Sequence, residues 1–142
     1  MKLSTRSRYG LRLMIDLYEN YTDTPLFLKD IAGRQGLSEK YLSKLIIPLK
    51  SAGLINSIRG ASGGYIPSKK PTDIKLIDII KTLEGELSIV DCVHNKALCD
   101  QTAECRARLV WHKVESLVSN YLGSVTLEDI LNESMPGEKP IS

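Results

Sequence analysis

A chain of 142 residues, 42% hydrophobic and 25% charged, holds enough apolar material for one domain or a small domain with an appendage, and it carries no internal repeat or low-complexity run. Charged residues interrupt the apolar positions of MKLSTRSRYGLRLMIDLYENY, so neither a signal peptide nor a membrane span is expected there and the protein is expected to stay in the cytoplasm. The net charge of +2 conceals an asymmetry: residues 1–70 hold twelve Lys or Arg against five Asp or Glu, and residues 71–142 hold seven against twelve. A compact basic half suits a polyanion such as DNA or an anionic lipid surface, with the acidic half lying away from it.

Residues 4–21 place Met14, Leu17, Tyr18 and Tyr21 at i, i+3, i+4 and i+7, which predicts a first helix with Arg6, Arg8 and Arg12 near its start. After the turn TDTP, LFLKDIAGRQG puts Leu28, Ile31 and Ala32 on one face of a short second helix that stops at Gly36, a residue suited to the left-handed position past a helix end. Ser38 is the expected N-cap of a third helix, with Glu39 in its first turn and Leu42, Leu45, Ile46 and Leu49 on its buried face. Pro48 removes the amide that would bond the Lys44 carbonyl, so the last turn should bend or loosen before Gly53 ends the helix.

Two helices joined by Gly36 and Leu37, with a small Ala32 where they cross, match the helix-turn-helix pattern whose second helix enters the DNA major groove. Next, LINSIRG, ASGG and YIPS read as two short strands around a glycine-rich tip, a β-hairpin wing with Arg59 at its root. Gly60, Gly63 and Gly64 are turn residues first, and a tip without side chains can also approach a phosphate backbone closely. The predicted fold class is mainly α with a small β wing: a winged helix-turn-helix followed by a long C-terminal dimerisation helix. Ser38, Lys40, Tyr41, Ser43 and Lys44 lie at the start of the third helix off its buried face, and with Arg59 they are the expected contacts to double-stranded DNA.

DIKLIDIIKTLEG predicts another short helix ending at Gly85, and then comes a loop holding all three cysteines, Cys92, Cys99 and Cys105. A long helix follows over about residues 103–122, N-capped by Thr102, with Cys105 as its third residue. Its stripe of Val110, Val114, Leu117, Val118, Tyr121 and Leu122 is too wide for one small domain to cover and predicts a two-fold homodimer. TLEDIL opens with a capping box from Thr126 to Asp129, and MPGEKPIS reads as a disordered tail. The expected organisation is a DNA-binding unit over 1–71 (helix-turn-helix 28–51, wing 54–68), a connecting helix and cysteine loop over 72–102, the dimerisation helix over 103–125, and a short helix and flexible tail over 126–142.

Three clustered cysteines cannot all pair within one chain, and cytoplasmic thiols stay reduced, so their spacing points to metal or redox chemistry before disulfides. Thiolates are soft donors suited to iron-sulfur centres, in which histidine can replace a cysteine. A structural zinc site would use the same thiolates but calls for four settled ligands and closer pairs than occur here. A thiol redox enzyme is the remaining alternative, and no C-x-x-C, nucleotide-binding glycine loop or acid-base pair accompanies the thiols, so the protein is expected not to be an enzyme.

Together LSTRSRYGLRLMIDL, LKDIAGRQGLSEKYLSKL, IRGASGGY and the cysteine loop resemble the IscR-type iron-sulfur cluster regulators, bacterial winged-helix transcription factors, over about residues 1–133. The resemblance implies a homodimer joined by the long helix, DNA binding through the third helix and wing, and a 2Fe-2S cluster held by Cys92, Cys99 and Cys105. It implies a regulator, a repressor of cluster-assembly genes, with no membrane and no small-molecule substrate among its partners. The familiar fourth ligand is a histidine three residues after the last cysteine, where this chain has Arg108, and six residues rather than five separate the first two cysteines. A guanidinium stays protonated and cannot ligate, which leaves His94, Asp91, Asp100, Glu104 or a partner-chain group, His112 lying too far along the helix. A cysteine-metabolism repressor on the same scaffold, acting with a biosynthetic enzyme, shares LSEKYL and IRGASGGY but lacks the cluster loop.

Overall fold

The computed structural model describes residues 2–101 and 103–137. Helix α1 spans Thr5–Asn20, with Ser4 as N-cap accepting the Ser7 amide at 3.3 Å, and it buries Leu13, Met14 and Leu17 while Tyr18 and Tyr21 sit half-buried at its edge. Helix α2, Leu28–Gln35, ends on Gly36 at φ 65°, and the Leu37 amide returns to the Ala32 carbonyl at 3.1 Å. Helix α3, Glu39–Ser51, starts where the Ser38 hydroxyl accepts the Tyr41 amide at 3.1 Å and buries the expected Leu42, Leu45, Ile46 and Leu49. It remains helical through Pro48. It closes as a Schellman motif, with Gly53 at φ 73° donating to Lys50 at 3.0 Å and Leu54 donating to Leu49 at 2.9 Å.

The wing is an antiparallel pair, β1 at Ile55–Ile58 and β2 at Gly64–Pro67, in register from Ile55 opposite Pro67 to Ile58 opposite Gly64. Leu26 joins it through two hydrogen bonds with Tyr65, at 2.9 and 2.8 Å. The chain entering α2 therefore ties the wing to the helix-turn-helix.

Helix α4, Leu76–Glu84, buries Ile79, Ile80 and Leu83. It crosses α1 at Gly10, where a Cβ would force the buried Leu83 side chain to shift. Helix α5 spans Arg106–Ser124, and α6, Leu127–Leu131, opens with the expected reciprocal cap between Thr126 and Asp129. Bonds from Leu76 to the Val125 carbonyl and from Leu127 to the Ile74 carbonyl, both 2.8 Å, stitch the α6 entry to the α4 entry. One apolar cluster holds side chains from α1, α2, α3, β1, α4 and α6, including Ile74, Leu83 and Leu127, so helices beyond residue 71 share the core of the winged helix.

The long helix departs from expectation at its start. Glu104 donates to the Gln101 carbonyl at 3.2 Å in a turn, so the helix begins at Arg106 with Cys105 as N-cap rather than third residue, and the expected cap Thr102 lies outside the described residues. Of the tail expected to be disordered, residues 138–142 also lie outside them. Among the described residues no helix is long and apolar enough to cross a membrane.

Candidate functional site

The third helix presents the expected cationic face. Lys40 and Lys44 are exposed on the side of α3 opposite its buried leucines, Ser38 is exposed at its cap, and Ser43 is half-buried at the border. Tyr41 is half-buried with its ring edge-on to Tyr9, centroids 6.0 Å apart. Arg59 is exposed directly after β1. At the wing tip Gly60 takes φ 116°, whereas a Cβ on Gly63 would strike the Ile58 carbonyl oxygen. These two glycines of the tip thus serve two purposes, turn and close packing.

Sequence reading missed what orients this face. Asp16 of α1, only 3% exposed, accepts Arg34 Nε at 3.1 and 3.0 Å, Arg34 Nη2 at 2.7 Å and Gln35 Nε2 at 2.8 Å. Hydrogen bonding to Asp16 pushes the Arg34 guanidinium pKa up, against the burial that lowers it. Gln35 in turn accepts Arg12 Nε at 2.9 Å on its side-chain oxygen and Arg12 Nη2 at 3.2 Å on its carbonyl, while Arg12 lies over the Tyr9 ring at 5.2 Å. This network fixes α2, and through the Gly36 turn α3, against α1. The available signal was a carboxylate between Leu13 and Leu17, on the border of an apolar face, where an unpaired charge is costly.

The cysteine loop has a docked half and an exposed half. Arg108 of α5 donates from Nε to the Cys92 carbonyl at 2.9 Å and from Nη2 to the Val93 carbonyl at 2.8 Å. Two turns along, buried Glu115 accepts the Ile89 amide at 3.1 Å and pairs with His94 Nε2 at 2.6 Å. Residues 94–101 are exposed. Cys92 is half-buried on the docked half, Cys99 is exposed, Cys105 is half-buried at the head of α5, and none is disulfide-bonded. Three thiols in one loop fit a 2Fe-2S centre in donor chemistry. Their arrangement does not gather them: among the described residues no three His, Cys, Asp or Glu side chains converge to hold a metal. His94 is engaged by Glu115, His112 is exposed on α5, and Arg108 fills the familiar histidine's place with loop carbonyls.

Beyond the loop, α5 buries only Glu115. Val110, Leu117 and Tyr121 of the expected stripe are exposed, Val114, Val118 and Leu122 half-buried, and Leu109 and Trp111 add further exposed apolar surface.

The model of one protein family, Rrf2, described as iron-dependent transcriptional regulators, matches residues 3–133. The chain belongs to the Rrf2 family. Within that family it is 42% identical to the transcriptional regulator CymR of Bacillus subtilis over 92% of this chain and 89% of that one, and 40% identical to protein Rrf2 of Nitratidesulfovibrio vulgaris over 94% and 89%. The solved structure of B. subtilis CymR, named as its global cysteine regulator, superposes with TM-score 0.79 at 40% identity over 94% of this chain and 98% of that one. That of T. potens IscR superposes with TM-score 0.76 at 39% identity over 100% and 94%. These relatives are winged-helix transcriptional regulators rather than enzymes, and this Rrf2 chain is a DNA-binding transcriptional regulator of the same fold.

Proposed function

We propose that this Rrf2-family protein is a cytoplasmic homodimeric repressor that reads iron-sulfur cluster status through Cys92, Cys99 and Cys105 and controls cluster-assembly genes. The observation that carries this reading is the attachment of the cysteine loop to α5: Arg108 and Glu115 bind its docked half to the helix whose exposed apolar stripe needs a second copy to cover it. A bound 2Fe-2S centre would supply the redox-sensitive and loss-sensitive element. Cys92, Cys99 and Cys105 would hold it once the exposed half of the loop closes toward the docked half. Arg108 stays a strap, and the fourth donor is then a group such as His94, released from Glu115. Residues 1–71 form the DNA-reading unit, with Ser38, Lys40, Tyr41, Ser43, Lys44 and Arg59 at the contact, and α5, Arg106–Ser124, the dimer helix.

A second reading, a cysteine-metabolism repressor acting with an enzyme partner, is favoured by the 42% identity to CymR and by Arg108 standing where a ligand is familiar. Anaerobic purification separates the two. Brown protein with bound iron and sulfide, whose dimer changes DNA affinity when the iron is chelated, supports the cluster reading. Colourless, iron-free protein whose DNA affinity responds to an added cysteine-biosynthetic enzyme supports the second.

A further inference from the structure

Ile47 is 65% exposed on α3, although the apolar residues around it on the same helix, Leu42, Leu45, Ile46 and Leu49, are at most 3% exposed. A lone exposed apolar side chain needs no explanation by itself; its position here does. With 3.6 residues per turn, Lys40, Lys44, Ile47 and Ser51 fall along one line down the outer face of the helix, with Ser43 beside them. Ile47 is therefore central to the surface that α3 turns away from its own core. It stands eight residues past Glu39, about 12 Å along the axis, on the same outer line as Lys40 and Lys44.

The neighbours narrow what Ile47 can recognise. Lys40 and Lys44 are flexible point charges suited to phosphates, and Ser43 bonds either kind of base edge. Of these outer-face side chains Ile47 alone offers a branched apolar surface. The major groove offers one apolar group in return, the 5-methyl of thymine.

We infer that Ile47 is a specificity-determining residue of this regulator, packing against the methyl group of one thymine in each half-site. The inference rests on the DNA-binding reading of α3. It makes the sequence preference at that base pair an apolar one, insensitive to the salt concentration that governs the lysine contacts.

The test uses the full-length dimer and a duplex that the wild-type protein selects from a random pool. Each thymine is replaced in turn by deoxyuridine, which removes only the methyl group. For the wild type, one symmetry-related thymine pair is expected to be sensitive, with affinity falling about fourfold per half-site, the factor for burying one methyl-sized group. Ile47→Ala should bind the thymine and deoxyuridine duplexes equally, and Ile47→Val should keep the preference; circular dichroism of the variants confirms that this exposed position leaves the fold intact. Uniform tolerance of deoxyuridine by the wild type, or an Ile47→Ala protein that still loses about fourfold at the same thymine, overturns the inference while leaving DNA binding in place. A wild type that selects no sequence overturns the DNA-binding reading and this inference with it.

Discussion

Replacing Asp16 by Ala tests whether the buried carboxylate sets the stability and geometry of the helix-turn-helix. The change deletes the acceptor for three hydrogen bonds from Arg34 and one from Gln35 at a site 3% exposed. Stranding a fully buried charge costs about 3–5 kcal/mol, but the Arg34 side chain is 37% exposed and can turn to water, and Gln35 keeps Arg12. A single hydrogen bond contributes about 1 kcal/mol net, so the loss falls between these limits, about 2–3 kcal/mol. For a chain of this length that corresponds to a melting point lowered by roughly 5–10 °C. Urea unfolding followed by far-ultraviolet circular dichroism, at one fixed chain concentration so that any self-association contributes equally, measures it directly. Arg34→Met in the Asp16→Ala background should then cost little more, since the pair has already been broken. A stability within about 0.5 kcal/mol of wild type, the range of ordinary surface substitutions, would refute the claim that this network holds α2 to α1.

Lys44→Ala should weaken binding to all duplexes alike and flatten the log-log salt dependence by about one unit, measured by fluorescence anisotropy; a sequence-dependent loss would make Lys44 a base contact instead. Arg59→Ala should cost more on A·T-rich flanks, whose narrow minor groove attracts arginine, than on G·C-rich ones, and equal losses would reduce Arg59 to a phosphate contact. Hydrogen bonding from Ser4, helped by nearby Arg6, holds the Glu84 carboxyl below its ordinary value, so its stabilisation is present above the unfolded-state pKa of about 4.3 and disappears as pH falls through the lower folded value. Glu84→Gln should therefore be less stable than wild type at neutral pH and converge with it in acid; a gap independent of pH would contradict this. Replacing any of Cys92, Cys99 or Cys105 by Ala should abolish visible cluster absorption while leaving the urea midpoint within about 0.5 kcal/mol of the iron-free wild type, because none of the three lies in the apolar core.

What was legible in the sequence was whatever one element decides alone. The i, i+3, i+4, i+7 spacing of Leu42, Leu45, Ile46 and Leu49 needs only helical periodicity, and the Ser38 and Thr126 caps need only their neighbours' amides. Contacts between elements were hidden. The bridge from Leu26 to Tyr65 joins residues far apart in sequence, and nothing in LFLKDI distinguishes a strand edge from the first turn of a helix. The head of α5 was misplaced because a helix-forming run gives no sign that the cysteine loop has already taken the Glu104 amide into a turn. Arg108 was read only as a failed ligand. Its five N–H donors suit paired carbonyl acceptors, and a loop outside regular ladders offers carbonyls without partners, which is where the guanidinium went.

These contacts give the proposed sensor a mechanical route. Arg108 binds the backbone at Cys92 and Val93, and Glu115 binds the Ile89 amide and the His94 ring, so the docked half of the loop is tied to the middle of α5. Cys105 caps the same helix. Two of the three thiols are thus fixed to the α5 frame, and Cys99, on the exposed half, is the one that must travel when all three are brought together. In the proposed sensor that travel would pull on the head of α5, where Leu109, Val110 and Trp111 are exposed, rather than on the winged-helix core. Downstream the path is stiff: α4 meets α1 at Gly10 without room for a Cβ, and α1 holds α2 through Asp16. In the proposed dimer a rigid path of this kind would leave each DNA-reading unit unchanged inside and alter only the spacing and angle between the two units. Half-site separation near one DNA turn, about 34 Å, is sensitive to that variable and a single half-site is not. In the proposed sensor the cysteine loop would therefore govern affinity for paired sites, while the preference at each base, the one proposed for Ile47 included, should stay the same in every state of the loop.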